Sequence, residues 1–539
     1  MTSRPSVILV GIDGGTLDLV GPWARAGELP AVGALLRAGA SGPLRSTQPP
    51  LTPVAWSSLL TGCSPARHGV FGFLRIPADT YAPQFLSGGS LVLPTIFELL
   101  SARGLRVGAI NVPWTWPPRA VNGWWLSGLD APAYGPDIAY PPGLFEELAG
   151  RFGGYFDKLV PVRRHGYALD RLEASIDKLG AMARYLARTR PVDLLAVVFT
   201  ATDQVQHWFW RDRTVRARDG RVVEDLLLHT YRRVDEQIER IVSECAGPAT
   251  TVLIASDHGA GPCEGGVDLN RWLAEQGWLR FSGSGRRGPS AGLLRLAGRL
   301  PAGLRERLRG ALGGRRRRLL SRVLAEGVDW PATAAFCWSD YGAISVHREG
   351  RFAQGRVAAE RSGALCEEIA EGLMQMRDPV SGERVMSAAL PGRVLYGETH
   401  DAPDLLAVTR GYRWEILTDF TAAGPLPERH GRQVFGPSLR QATHRLHGLL
   451  CAQGRDVRPG MALSGARIQD VAATILHLLG APVPEHMDGC VLSAMLTREA
   501  LAAHPPRREA VDLKVAAAAG YADGDRARVE RDLGALGYL

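Results

Sequence analysis

Apolar runs that stop abruptly at polar residues recur along the chain, and each stop leaves a chemically capable side chain. In TVLIASDHGAGP, the run Val252 to Ile254 breaks into Ser256-Asp257-His258-Gly259, which is too polar to continue a buried strand. The run Ser6 to Val10 ends in Gly11-Ile12-Asp13-Gly14-Gly15, so Asp13 leaves at a strand's C-terminal end. Asp193 to Thr200 is apolar on both faces, as a parallel strand covered on both sides requires, and it opens into Ala201-Thr202-Asp203-Gln204-Val205-Gln206-His207. Arg106 to Val112 is a fourth such run and leads into the loop PWTWPP, whose Trp114 and Trp116 read as packing. Pro30 to Ala40 and Val222 to Cys245 carry helical periodicity between these runs. Strand, helix, strand in that order predicts a doubly wound α/β core, with its chemistry at the C-terminal ends of the strands.

Taken singly, each polar break has a plain reading beside the chemical one. Asp257-His258, taken alone, favours an N-cap followed by an incidental surface histidine. Asp203 and His207 are four apart, which puts them on one face of a helical turn. Their neighbours Trp208, Phe209 and Trp210 argue for partial burial, where an unpaired carboxylate is costly. In PPLTPVAWSSLLTG, Pro53 suits the first turn of a helix and Thr52 its N-cap. A hydroxyl there caps the helix, or it sits where backbone N–H groups favour a phosphate or an oxyanion. THRLHG supplies His444 and His447 just before the apolar run His447 to Ala452. Asp and His are suitable ligands for a borderline divalent ion such as zinc.

Further along, Asp268 to Leu273 begins a helix, Ala343 to Val346 reads as a strand and Ala358 to Met376 as a helix. The core sheet is expected to resume with Asp404 to Val408 and His447 to Ala452, followed by an apolar helix at Ile468 to Gly480 and a tail packed as one short helix. The expected division is a catalytic core of 1–265 and 402–505, an inserted cap of 266–401 with a basic linker at 282–327, and a C-terminal tail of 506–539.

Composition narrows the class without deciding it. The chain has 539 residues, 45% hydrophobic and 22% charged, as in ordinary soluble enzymes, and no apolar run reaches bilayer length. No secretory signal precedes the first strand, so a cytoplasmic location is expected. The seven cysteines are scattered singly, which argues against a disulfide framework or a thiolate zinc site. Much of the net charge of +8 is concentrated between Arg286 and Arg322, so specific nucleic-acid binding is not expected. That stretch reads as a solvated linker or lid face, with peripheral contact to anionic lipid through 286–322 as the weaker alternative.

Read in order, VGIDGG, PPLTPVAWSSLLTG, NVPWTWPP, TDQVQH, ASDHG, DLNRWL, DPVSGE, APDLL, THRLHG and ILHLLGAPVPEHMDG resemble the alkaline phosphatase superfamily, in its bacterial type I phosphodiesterase and nucleotide pyrophosphatase branch. The resemblance implies a three-layer α/β/α core with a mostly parallel sheet and an inserted cap. It also implies a metal-dependent phosphoric ester hydrolase that acts on a small-molecule phosphoester. Asp13, Asp257 and His258 would hold one ion, with Thr52 bridging to it as nucleophile, and Asp203, His207 and His444 would hold the other. His444 is preferred to His447 because the family's histidine is followed by arginine, as here by Arg445. The ions implied are two zinc ions, with manganese as the alternative, and a phosphothreonine at Thr52 would be hydrolysed by water.

Two departures stand out: Ala55 where nucleotide pyrophosphatases typically carry asparagine three residues after the nucleophile, and His347 where asparagine is expected in a cap strand. A phosphotransferase, a phosphomonoesterase and a sulfatase of the same superfamily are the rival enzymes. A non-catalytic protein docking to a polyanion or membrane is the rival of another class.

Overall fold

The structure is a computed structural model. It describes residues 4–156, 168–217, 219–282, 327–399, 401–418, 420, 434–438 and 440–513, with scattered positions from 515 to 530. The basic stretch 286–322 therefore lies outside the described residues. The chain divides into two compact units, one of 1–70, 87–262 and 444–520, the other of 71–86, 263–443 and 521–539.

The first unit is built on a nine-stranded sheet. In chain order its strands are Val7–Ile12 (β1), Ala40–Arg45 (β2), Val107–Val112 (β3), Gly123–Ser127 (β4), Ala139–Tyr140 (β5), Leu194–Phe199 (β6), Thr251–Ala255 (β7), His447–Gln453 (β8) and Ala466–Arg467 (β9). Across the sheet they run β9-β2-β8-β7-β1-β6-β3-β4-β5. Most neighbours are parallel: β7 with β1, β1 with β6, β6 with β3, β3 with β4, and β2 with β9. β8 runs antiparallel to both β2 and β7, and β5 antiparallel to β4. Every residue of β1, β3, β6 and β7 is buried, so both faces of the sheet's centre are covered. That explains the unbroken apolar runs, and it gives the layered α/β core expected from them.

Helices Pro30–Ala38 (α1), Thr52–Thr61 (α2), Leu169–Thr189 (α3), Ala201–Phe209 (α4), Leu226–Cys245 (α5) and Ile468–Leu478 (α6) belong to this unit. Asp235 of α5 receives the backbone N–H groups of Ala31 and Val32 at 3.0 and 2.8 Å, which ties α5 to the first turn of α1. α2 lies close to β1 because Gly11 has no side chain: a Cβ there would come 2.7 Å from the ring of Trp56. Among the described residues no helix is long and apolar enough to cross a membrane.

The second unit holds an antiparallel four-stranded sheet in the order Ala335–Cys337, Ala343–Val346, Leu405–Thr409, Met386–Pro391. Here the expectation fails for Asp404 to Val408. That run is a strand, but it pairs with Ala343–Val346 and Met386–Pro391 and not with the core sheet. Accordingly 402–443 falls in the second unit, together with 71–86. An apolar run announces a strand without naming its partners. His347 sits in the same unit as part of an aromatic cluster. Its Nε2 lies 2.8 Å from the Tyr81 hydroxyl, its Nδ1 lies 3.0 Å from the Thr333 carbonyl, and Tyr81 stacks on Trp330 with centroids 4.2 Å apart. The departure at His347 is thus taken up in packing. The tail also differs from a lone helix, since Arg508–Glu509 forms a short strand parallel to Val483–Pro484.

Candidate metal centre

Three parallel neighbours, β7, β1 and β6, end side by side, with Gly11 opposite both Ala255 and Val198. Whatever follows each strand is therefore delivered to one place. β1 delivers Asp13, β7 delivers Asp257 and His258, and β6 runs into α4, whose first turn carries Asp203 and whose next carries His207. His444 comes from the short strand Ala442–Arg445, which precedes β8. Thr52 is the first residue of α2, with Leu51 at the cap, one position later in the helix than expected, and its hydroxyl turns to His258 instead of capping.

All seven predicted side chains are buried, none more than 5% exposed, and they converge. Thr52 Oγ1 lies 3.2 Å from His258 Nε2, and His258 Nε2 lies 3.2 Å from Asp257 Oδ2 and 3.7 Å from Asp13 Oδ1. On the other side, His207 Nε2 is 3.3 Å from Asp203 Oδ2 and 3.1 Å from His444 Nε2, and His444 Nε2 is 3.5 Å from Asp203 Oδ1. The rings of His258 and His444 stack with centroids 3.5 Å apart. Ligand-type atoms of Asp13, Asp257 and His258 all lie within 4.8 Å of one another, as do those of Asp203, His258 and His444. By contrast His447 is exposed, which removes it as a competitor of His444.

Electrostatics separates the members. Burial holds His258 down at about 4 and His444 at about 3, so both rings are neutral. His444 Nδ1 is 2.8 Å from the Pro50 carbonyl and His258 Nδ1 is 3.0 Å from the Gly259 carbonyl. A neutral ring that donates through Nδ1 keeps an Nε2 lone pair, here directed into the cluster. Burial, followed by repulsion from Asp257 and Asp203, pushes the Asp13 carboxyl well above its usual range. Burial and Asp203 lift Asp257 to about 7. For Asp203 burial pushes upward, but the His207 and His444 imidazoles outweigh it and hold the carboxyl well below the ordinary value.

The family model for type I phosphodiesterase / nucleotide pyrophosphatase matches residues 7–448, and that span runs from β1 into β8 and includes every one of these side chains. The chain belongs to the type I phosphodiesterase and nucleotide pyrophosphatase family. It is accordingly a hydrolase of phosphoester or pyrophosphate bonds. Among solved structures, human ectonucleotide pyrophosphatase / phosphodiesterase 5 is similar at 13% identity, with a TM-score of 0.48 over 89% of this chain and 95% of that chain. No curated protein sequence matches.

Around this family's motifs lies a set of supporting residues that the sequence did not single out. The Ser46 hydroxyl donates to the Asp257 carbonyl at 2.5 Å, and the Thr202 hydroxyl donates to the Asp13 carbonyl at 2.6 Å. Gln206 Nε2 donates to the Gly14 carbonyl at 3.0 Å, and the Gly14 N–H donates to Asp257 Oδ1 at 3.2 Å. The helical spacing of Thr202 and Gln206, alike with that of Asp203 and His207, was the one signal available for them.

Proposed function

We propose that this chain is a metal-dependent phosphodiesterase, with nucleotide pyrophosphates as the related substrate class, that acts through Thr52 beside two divalent ions, zinc first and manganese as the alternative. The observation that carries the reading is the setting of the Thr52 hydroxyl, 3.2 Å from His258 Nε2 at the start of a buried helix.

The residues present suit the ions. Asp13 Oδ1 and Asp257 Oδ2 are buried without a hydrogen-bond partner, which is expensive for carboxylates unless a cation meets them. The donor set of carboxylates, neutral imidazoles and one hydroxyl is that of zinc. Asp13, Asp257, His258 and Thr52 would hold one ion, and Asp203, His207 and His444 the other. Such ions, when bound, lower the pKa of the attacking hydroxyl and neutralise charge on the leaving oxygen.

The protein's own part is displacement and orientation. Thr52 Oγ1 forms a bond to phosphorus as the bond from phosphorus to the leaving alcohol breaks. A water oxygen then displaces Thr52 Oγ1 from the opposite side and restores the free hydroxyl. The start of α2 places the positive end of a helix where negative charge develops on the phosphoryl oxygens. Ala55, fully buried one turn into α2, offers no polar contact to a phosphate, which favours simple diesters over nucleotides.

The test is Thr52→Ala: turnover of bis-p-nitrophenyl phosphate is expected to vanish in a folded protein, and undiminished turnover would refute Thr52 as nucleophile. Parallel rates on phosphomonoesters, diesters, nucleotide pyrophosphates and sulfate esters rank the substrate classes.

A further inference from the structure

Four of the buried residues of helix α4, two on each of successive turns, face two different groups. Asp203 and His207 meet His444. Thr202 and Gln206, one position earlier in each turn, grip the loop that follows β1: the Thr202 hydroxyl donates to the Asp13 carbonyl at 2.6 Å and the Gln206 amide donates to the Gly14 carbonyl at 3.0 Å. From there the contact passes on, because the Gly14 N–H donates to Asp257 Oδ1 at 3.2 Å. Gly14 itself adopts φ +66°, and a Cβ there would come 2.9 Å from both Asp203 Oδ1 and Gln206 Nε2, so loop and helix are in contact without slack.

Gln206 is only 1% exposed, yet its Oε1 has no hydrogen-bond partner. An apolar side chain of that size would avoid leaving this acceptor buried and unmatched. What the amide contributes in return is its bond to Gly14.

We infer that Gln206 and Thr202 are positioning residues that couple the two ligand groups, so that an ion held by Asp203, His207 and His444 strengthens the binding of a second ion by Asp13, Asp257 and His258. The inference rests on the two-ion reading above. Fixing α4 through Asp203 and His207 also fixes Thr202 and Gln206, and with them the Asp13 backbone and the donor to Asp257. The second ion then meets a loop that is already ordered, and linkage makes the effect reciprocal.

The test is zinc affinity of the metal-stripped full chain, measured by competition with a chromophoric chelator, together with melting of each variant to establish that it folds. The wild type is expected to bind two ions, and His207→Ala to keep one, held about tenfold more weakly than the tighter ion of the wild type. In Gln206→Met, which keeps the volume and loses the donor, adding His207→Ala should weaken that remaining ion no further. Thr202→Val should behave like Gln206→Met, and Thr202→Ser, which keeps the hydroxyl, like the wild type. An undiminished His207→Ala effect in both the Gln206→Met and the Thr202→Val backgrounds would overturn the coupling. Fewer than two ions bound by the wild type would instead overturn the two-ion reading on which it rests.

Discussion

Thr52 Oγ1 lies 3.2 Å from Nε2 of His258, and both side chains are closed off from solvent. As the proposed nucleophile, so enclosed a side chain would depend on its oxygen and little on its methyl group. Thr52→Ser is therefore expected to keep kcat within about tenfold of the wild type, and Thr52→Ala to lose at least about a thousandfold. Steady-state rates on a diester check the ratio, and mass spectrometry of acid-quenched protein should find the adduct on the peptide that carries residue 52.

Burial raises the carboxyls of both Asp13 and Asp257, and neighbouring negative charge adds to it, from Asp257 and Asp203 on Asp13 and from Asp203 on Asp257. Without cations, neutralising one of them should help the fold. Metal-stripped Asp13→Asn is expected to melt about 2–4 °C above metal-stripped wild type, and with saturating zinc the order should reverse. Calorimetry of both proteins with and without zinc tests the crossing; parallel shifts in the two states would remove the like-charge explanation.

His68 gives a pH dependence away from the cluster. Its Nδ1 accepts the Val70 N–H at 3.1 Å and its Nε2 lies 2.9 Å from the Ser58 hydroxyl, in a site where burial holds the imidazole down at about 3. The unfolded chain takes up this proton near pH 6.5 and the folded chain only near pH 3. Stability from this group is therefore complete above about pH 6.5 and is lost as the pH falls towards 3, by roughly 2 kcal/mol at pH 5. Urea unfolding at pH 7 and pH 5 should show the loss in the wild type and a smaller one in His68→Gln.

Asp130, just after β4, is a predicted weak point in the anchoring of the loop that follows β3. Its carboxylate accepts the N–H groups of Gly88 at 2.9 Å, Thr115 at 3.0 Å and Trp116 at 2.9 Å, all at buried positions. Asp130→Ala leaves those donors unmet and should cost about 3 kcal/mol. Asp130→Asn keeps the acceptor oxygen and should cost about half as much by chemical denaturation.

The strands buried on both faces, β1, β3, β6 and β7, are legible because burial on two sides demands an unbroken apolar run. β2 is not: ASGPLR contains glycine and proline, and it becomes a strand because β8 pairs with it along its length. At Gly42 a Cβ would come 2.1 Å from the Leu463 carbonyl, a constraint from a distant segment that no local pattern records. The same division runs through the candidate metal centre. Asp13, Asp203, His207, Asp257, His258 and His444 stand at visible breaks between apolar and polar sequence. Ser46, Thr202 and Gln206 act on backbone carbonyls, and a hydrogen bond to a backbone leaves no complementary residue to find.

The placement of β8 has a consequence for synthesis. It lies between β2 and β7, and His444 immediately precedes it, so a chain emerging from the ribosome carries an incomplete cluster, and the facing edges of β2 and β7 stay unpaired, until residues 444–453 appear. Unpaired edges invite association with other chains. Closing the sheet and completing the candidate cluster are thus one late event, and a chain truncated before residue 444 would lack both His444 and the strand that seals its sheet.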